Sequence, residues 1–84
     1  MQDGCFYFYV TPIRGRWELC YPGQPSVELY RTRTLALKAA ERAAQARFAA
    51  EGGAIGLLIR SSEGVWEKWE LAASGLFKEV LPPA

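Results

Sequence analysis

A chain of 84 residues has room for one domain, near the small end of what folds unaided, burying roughly 60–65% of its extended-chain surface. Half of the residues are hydrophobic, 13% aromatic and 23% charged, proportions that exclude global disorder. A formal charge of +1 points neither to a dedicated nucleic-acid binder nor to a membrane-surface protein, and no apolar run approaches the ~18 residues of a membrane span.

Residues 1–4 carry no apolar anchor and are expected to fray. CFYFYV (residues 5–10) is aromatic and β-branched, and Thr11-Pro12 is expected to end it, because proline cannot donate to a ladder. Alternation puts Phe6, Phe8 and Val10 on one face and Tyr7 and Tyr9 on the other. Arg14-Gly15-Arg16 is a turn. WELCY (residues 17–21) is a second strand, with Trp17, Leu19 and Tyr21 on one side and Glu18 and Cys20 on the other. After the loop PGQP, SVELYR (residues 26–31) reads as a third strand with Val27 and Leu29 facing in and Glu28 and Tyr30 facing out.

Residues 34–53, TLALKAAERAAQARFAAEGG, form one alanine-rich helix closed by Gly52-Gly53. Thr34 is the natural N-cap and Thr32 its competitor. Leu37, Ala40, Ala44 and Phe48 make a seam on one face, with Ala36 and Ala43 beside it, while Lys38, Glu41, Arg42 and Gln45 line the opposite face. Short side chains let the helix axis lie close to a sheet, and the large rings of the strands fill the remaining space. AIGLLIR (residues 54–60) is an apolar run of strand length. Ser61-Ser62-Glu63-Gly64 has hairpin composition, and VWEKWEL (residues 65–71) alternates, with Val65, Glu67, Trp69 and Leu71 on one side and Trp66, Lys68 and Glu70 on the other; the pattern does not settle which side faces the helix, and Val65, Trp69 and Leu71 are the better inward set. In the tail, residues 72–84, Leu76, Phe77, Val80 and Leu81 stand at helical spacing before Pro82-Pro83, so a short docked helix is expected there over a strand. The chain is therefore read as an α+β single domain, βββ-α-ββ, a mostly antiparallel sheet with one long helix packed on one face.

In that order the chain resembles the small bacterial family called domain of unknown function 2188, over residues 9–71. The carrying residues are Val10-Thr11-Pro12, Gly15-Arg16-Trp17 opening a strand, the Thr-led alanine helix, the apolar strand around residues 57–59, and Glu63-Gly64 before the last strand. It departs from the family in having Glu63 where an Asp is usual, and in its tail. The resemblance implies a compact sheet with one packed helix and no assigned activity.

Chemistry finds few hands in this sequence. There is no histidine, so the usual base at neutral pH and every Ser-His or Cys-His arrangement are missing. The one aspartate is Asp3, and Glu18, Glu28, Glu67 and Glu70 read as solubilising residues. Two cysteines and scattered glutamates make no zinc cage, and no metal or cofactor is expected. Without a basic-then-apolar leader a cytoplasmic setting is expected, with Cys5 and Cys20 as free thiols on adjacent strands and a disulfide between them the alternative. Gly52-Gly53-Ala54-Ile55-Gly56 follows a helix, whereas phosphate loops precede one, so it reads as a C-cap. The chain is expected not to be an enzyme.

Two surfaces remain. Tyr7, Tyr9, Tyr30 and Trp66 point away from the helix in this reading, which leaves an open aromatic sheet face suited to a second copy of the chain, as a dimer, or to another protein. Glutamates among the rings weigh against stacked single-stranded nucleic acid. The alternative is DNA binding through Arg14, Arg16, Arg31, Arg33 and Arg42, since GRWEL, then the Arg-rich YRTRT and an alanine helix, is superficially similar to the arm-binding domains of phage-type integrases. The extra strands and near-neutral charge are unlike a dedicated DNA reader.

Overall fold

A computed structural model describes residues 6–24 and 27–80. The expectations for residues 1–4, Cys5, Ser26, Leu81 and Pro82-Pro83 lie outside them. Within the described residues the chain runs β1 (Phe6–Ile13), β2 (Arg16–Cys20), β3 (Val27–Tyr30), α1 (Arg33–Glu51), β4 (Ile55–Arg60), β5 (Trp66–Leu71) and β6 (Phe77–Glu79). The six strands form one sheet in the order β3-β2-β1-β4-β5-β6. Every neighbouring pair is antiparallel except β1 with β4. That parallel pair needs a crossover, and α1 supplies it, carrying the chain from the β3 edge back over the sheet to β1. The fold is thus α+β with a mostly antiparallel sheet and a single helix, as expected, with one strand more. No helix of the described residues is long and apolar enough to cross a membrane.

The core is the layer between α1 and the centre of the sheet. Ala36, Ala40 and Ala44, one turn apart, are fully buried against Phe8 and Val10 of β1, Leu19 of β2, and Ile55, Leu57 and Ile59 of β4. Leu37, Phe48, Trp17, Tyr21, Tyr30, Trp69 and Phe77 pack around its margin. At the lower end the Arg47 guanidinium lies 3.4 Å from the centre of the Phe6 ring and binds Glu51 at 3.2 Å, so this cation shields a ring at the rim of the core.

Four expectations are corrected. Thr32, not Thr34, caps the helix: its Oγ1 accepts from the Leu35 backbone N–H at 3.2 Å while its own backbone stays extended. Thr32→Ala should cost about 1 kcal/mol and Thr34→Ala only a few tenths, a difference that chemical denaturation resolves. Second, β1 does not stop at Thr11-Pro12 but continues to Ile13. Ile13 faces Arg16 across the two-residue loop Arg14-Gly15, both at positive φ, so alternation turns the N–H that Pro12 lacks away from β2. On that side pairing with β4 has ended at Val10–Ile59, and no donor is needed.

Third, β3 faces the other way. Tyr30 pairs with Trp17 and Glu28 with Leu19, which puts both on the helix side and leaves Val27 and Leu29 on the open side. An edge strand at the limit of the helix's cover lies where apolar alternation says least about which side is inside. Fourth, the tail makes no short helix up to residue 80. Phe77–Glu79 is β6, paired with β5 through Leu71–Phe77, Glu70–Lys78 and Trp69–Glu79.

Candidate functional site

The face of the sheet away from α1 follows from register. Tyr7, Tyr9, Thr11 and Ile13 of β1 share it with Glu18 and Cys20, with Leu58 and Arg60, with Trp66, Lys68 and Glu70, and with Val27 and Leu29. No element of the described residues lies over it. Tyr9 and Trp66 meet edge to face with ring centroids 6.3 Å apart, yet remain 40% and 49% exposed. Leu29 is 56% exposed, and Ile13 and Val27 are similarly open. Monomers rarely spread this many large apolar groups over one face.

The polar groups between these rings hold one another. The Tyr7 hydroxyl donates to Glu70 Oε2 at 3.4 Å, and the Lys68 ammonium stands 5.4 Å from the Tyr7 ring centre. The same ring lies over Gly56, its β4 partner, which has no side chain to displace it. Glu18 Oε1 accepts from Thr11 Oγ1 at 3.4 Å and from Cys20 Sγ at 3.6 Å. Partial burial, the Glu18 charge and this hydrogen bond push the Cys20 thiol above its ordinary range, which keeps it protonated and a poor nucleophile. Among the described residues no three Cys, Asp or Glu side chains gather to hold a metal ion.

Of the four rings expected here, Tyr7, Tyr9 and Trp66 come together and Tyr30 does not. Tyr30 packs at the core margin on the helix side, where its hydroxyl and that of Tyr21 both donate to Glu28 Oε1. The hydrogen bond to Glu28, then burial and the Glu28 charge, push the Tyr30 phenol up to about 12. A folded-state value above the unfolded one means that this contribution to stability is complete below about pH 10 and disappears as pH rises towards 12. Burial, then the Glu28 charge and hydrogen bond, also raise the Tyr21 phenol. Phenolate absorbance should therefore show a component titrating near pH 12 that Tyr30→Phe removes, and Glu28→Gln should move both phenols back towards the ordinary value.

The arginines divide. Arg14 lies in the β1–β2 turn and Arg16 follows it, Arg31 follows β3 and Arg60 ends β4, so register gathers these four at one end of the sheet. Arg33 is committed elsewhere: its Nη2 binds Glu67 Oε1 and Oε2 at 3.2 and 3.3 Å, tying the start of α1 to β5. Arg42 is exposed midway along the helix, apart from that end.

Sequence reasoning missed a second site. On the helix side α1 packs over β3, β2, β1 and β4, and a groove of about 570 Å³ runs between its flank and β5–β6. Its apolar walls are Leu37, Leu57, Ile59, Trp69, Leu76 and Phe77. The Arg33–Glu67 pair lies at the start of the helix, and Gln45 Nε2 donates to the Gly75 carbonyl at 3.3 Å further along. The Trp69 indole N–H donates to Glu67 Oε1 at 3.3 Å. The groove exists because β6 extends the sheet beyond the reach of one helix. One signal for β6 was present. Ala72-Ala73-Ser74-Gly75 repeats the pattern of Ser61-Ser62-Glu63-Gly64, and both turns close through an N–H of their glycine, at φ near +90°, to the carbonyl three residues before. Comparison with family models, with curated proteins and with solved structures returns no match to this chain.

Proposed function

We propose that this protein is a non-catalytic binding module that pairs with a second copy of itself through the open sheet face. The observation that carries this reading is the Tyr9–Trp66 ring pair, half exposed at the middle of a face that also carries Ile13, Val27 and Leu29. Burying that face would remove five large apolar side chains from water at about 25 cal/mol per Å². Arg16, Arg60, Lys68 and Lys78 share it with Glu18 and Glu70, so charges of both signs are available for a two-fold contact in which each patch meets its own copy. Tyr7, Tyr9 and Trp66 are the contact rings. Tyr30 leaves the set. A cytoplasmic setting suits the free, protonated Cys20.

Sedimentation of the wild type should show a concentration-dependent dimer that Tyr9→Ser with Trp66→Ser converts to a monomer of unchanged circular dichroism. A wild type that stays monomeric at high concentration removes the reading. The second reading, a phosphate-bearing polymer at the end of the sheet, is favoured by the gathering of Arg14, Arg16, Arg31 and Arg60 from three parts of the chain, with Arg33 held by Glu67 and Arg42 midway along the helix. It requires salt-dependent retention on heparin, and flow-through at ~50 mM salt removes it.

A further inference from the structure

We infer that the two copies meet about a two-fold axis lying along β1, with β2 and β3 of each stacked on β4 and β5 of the other; this rests on the self-association proposed for the open face. Such an axis overlays the strands β3-β2-β1-β4-β5 on their copies and leaves only the three-residue β6 outside. At about 4.8 Å between strands and 3.3 Å per residue the overlap is about 24 Å wide and 20 Å long, or roughly 1,000 Å² for the two copies together, which is where specific interfaces begin. Register then supplies the contacts. Leu29, Glu18 and Thr11 stand level across the sheet, and Arg60 and Trp66 continue the same row on the far side of β1. Rotation about β1 turns this row over onto itself, so that Glu18 meets the partner's Arg60 and Leu29 meets the partner's Trp66. In the next row Tyr9 meets its own copy, and Cys20 meets the partner's Leu58.

The charges select this axis. Among the described residues Glu18 accepts hydrogen bonds from Thr11 and Cys20 and has no cation beside it, and Arg60 makes no ion pair. Within one copy β1 holds the two apart by two strand spacings, about 10 Å. The rotation brings each over the other across two sheets packed about 10 Å apart, and it does so twice. Leu29 and Trp66, each about half exposed, are covered by the same movement. Other axes fail on the same residues. One along β4 sets Arg60 on the partner's Arg60, and one between β1 and β4 sets the Glu18 carboxylate on the partner's Trp66. An axis across the strands stacks like charges when it runs through the Glu18 row and leaves Glu18 and Arg60 without partners when it runs through the Tyr9 row.

The test is an exchange of charges in the full chain, read by sedimentation. Glu18→Arg sets two pairs of like charges across the interface, and Arg60→Glu does the same with the opposite sign. Each variant alone should dimerise at least about tenfold more weakly than the wild type, with unchanged circular dichroism. An equimolar mixture of the two should recover the wild-type affinity to within about threefold, because each variant then supplies the charge that the other lacks. Geometry is read separately by spin labels at Arg14→Cys in a chain carrying Cys5→Ser and Cys20→Ser. An axis along β1 keeps strand direction and brings both β1–β2 turns to one end, within about 25 Å, whereas an axis across the strands holds them about 35 Å apart or more. Dimerisation unaffected by either exchange, a mixture as weak as its parts, or the longer label distance overturns this axis and leaves self-association standing. A wild type that stays monomeric at high concentration removes self-association itself, and the axis with it.

Discussion

Replacing Gly56 with alanine is expected to destabilise the protein by about 3 kcal/mol, a fall in melting temperature of roughly 10–20 °C for a domain of this size. Gly56 sits inside β4, between Tyr7 of β1 and Glu70 of β5. A Cβ there would come within 2.5 Å of the Trp69 carbonyl oxygen and within 2.8 and 3.0 Å of two Tyr7 ring carbons. The ring can turn aside, but the carbonyl belongs to the backbone of the neighbouring strand and cannot do so without opening the β4–β5 ladder. Gly56→Ala with Tyr7→Ala should therefore recover only part of the loss. A melt in which the single variant matches the wild type would show that β5 does not pair with β4 in this register. The glycine also serves the open face, since the bare backbone lets Tyr7 lie flat across β4 with its hydroxyl at Glu70. The same variant should weaken the proposed self-association even at temperatures where the chain stays folded.

Ala40→Leu is expected to cost nearly as much, about 3 kcal/mol, by overpacking. Ala36, Ala40 and Ala44 have no exposed surface and form the row by which α1 touches the sheet. Three added carbons at the middle of the row meet the layer of Phe8, Val10, Leu19 and Leu57, and must lift the helix or push those side chains off their rotamers. Ala46→Leu is the control: Ala46 is exposed on the same helix, and its substitution should change stability by less than about 0.5 kcal/mol. Equal melts for the two variants would mean that the helix docks through a different face.

These two positions mark the boundary of what the chain shows before it folds. Ala40 is legible because its role repeats with the helical period: apolar and small residues recur at offsets of three and four, and Gly52 follows, where the cap N–H returns to the Phe48 carbonyl at 2.8 Å. Gly56 has no such signature. From the sequence it is a glycine in the apolar run that follows Gly52-Gly53, and only the partners on either side of β4 give it a separate task. The open face was readable in part for the same reason. Tyr7 and Tyr9 lie in a strand whose other side is strongly apolar, so alternation assigns them outward; Trp66 lies in a strand with Glu67 beside Trp69 on the other side, and its pairing with β4 decides its direction. Tyr30 lies in a four-residue edge strand whose two sides are nearly equally apolar, Val27 and Leu29 against Tyr30 and the stem of Glu28.

What the amino-acid order by itself determined is local: the period of each segment, the alanine helix with its glycine stop, and the strands on both sides of it. Each of these depends on interactions between residues a few positions apart, and those are written along the chain. What only the tertiary structure decided is pairing and cover. The parallel contact of β1 with β4, the addition of β6, the outward turn of Val27 and Leu29 and the groove beside α1 all depend on which distant strand supplies the missing hydrogen bonds and on how far one helix extends across six strands. A backbone donor is satisfied equally well by many partners, so the choice among them rests on the packing of the whole layer, which no segment carries alone.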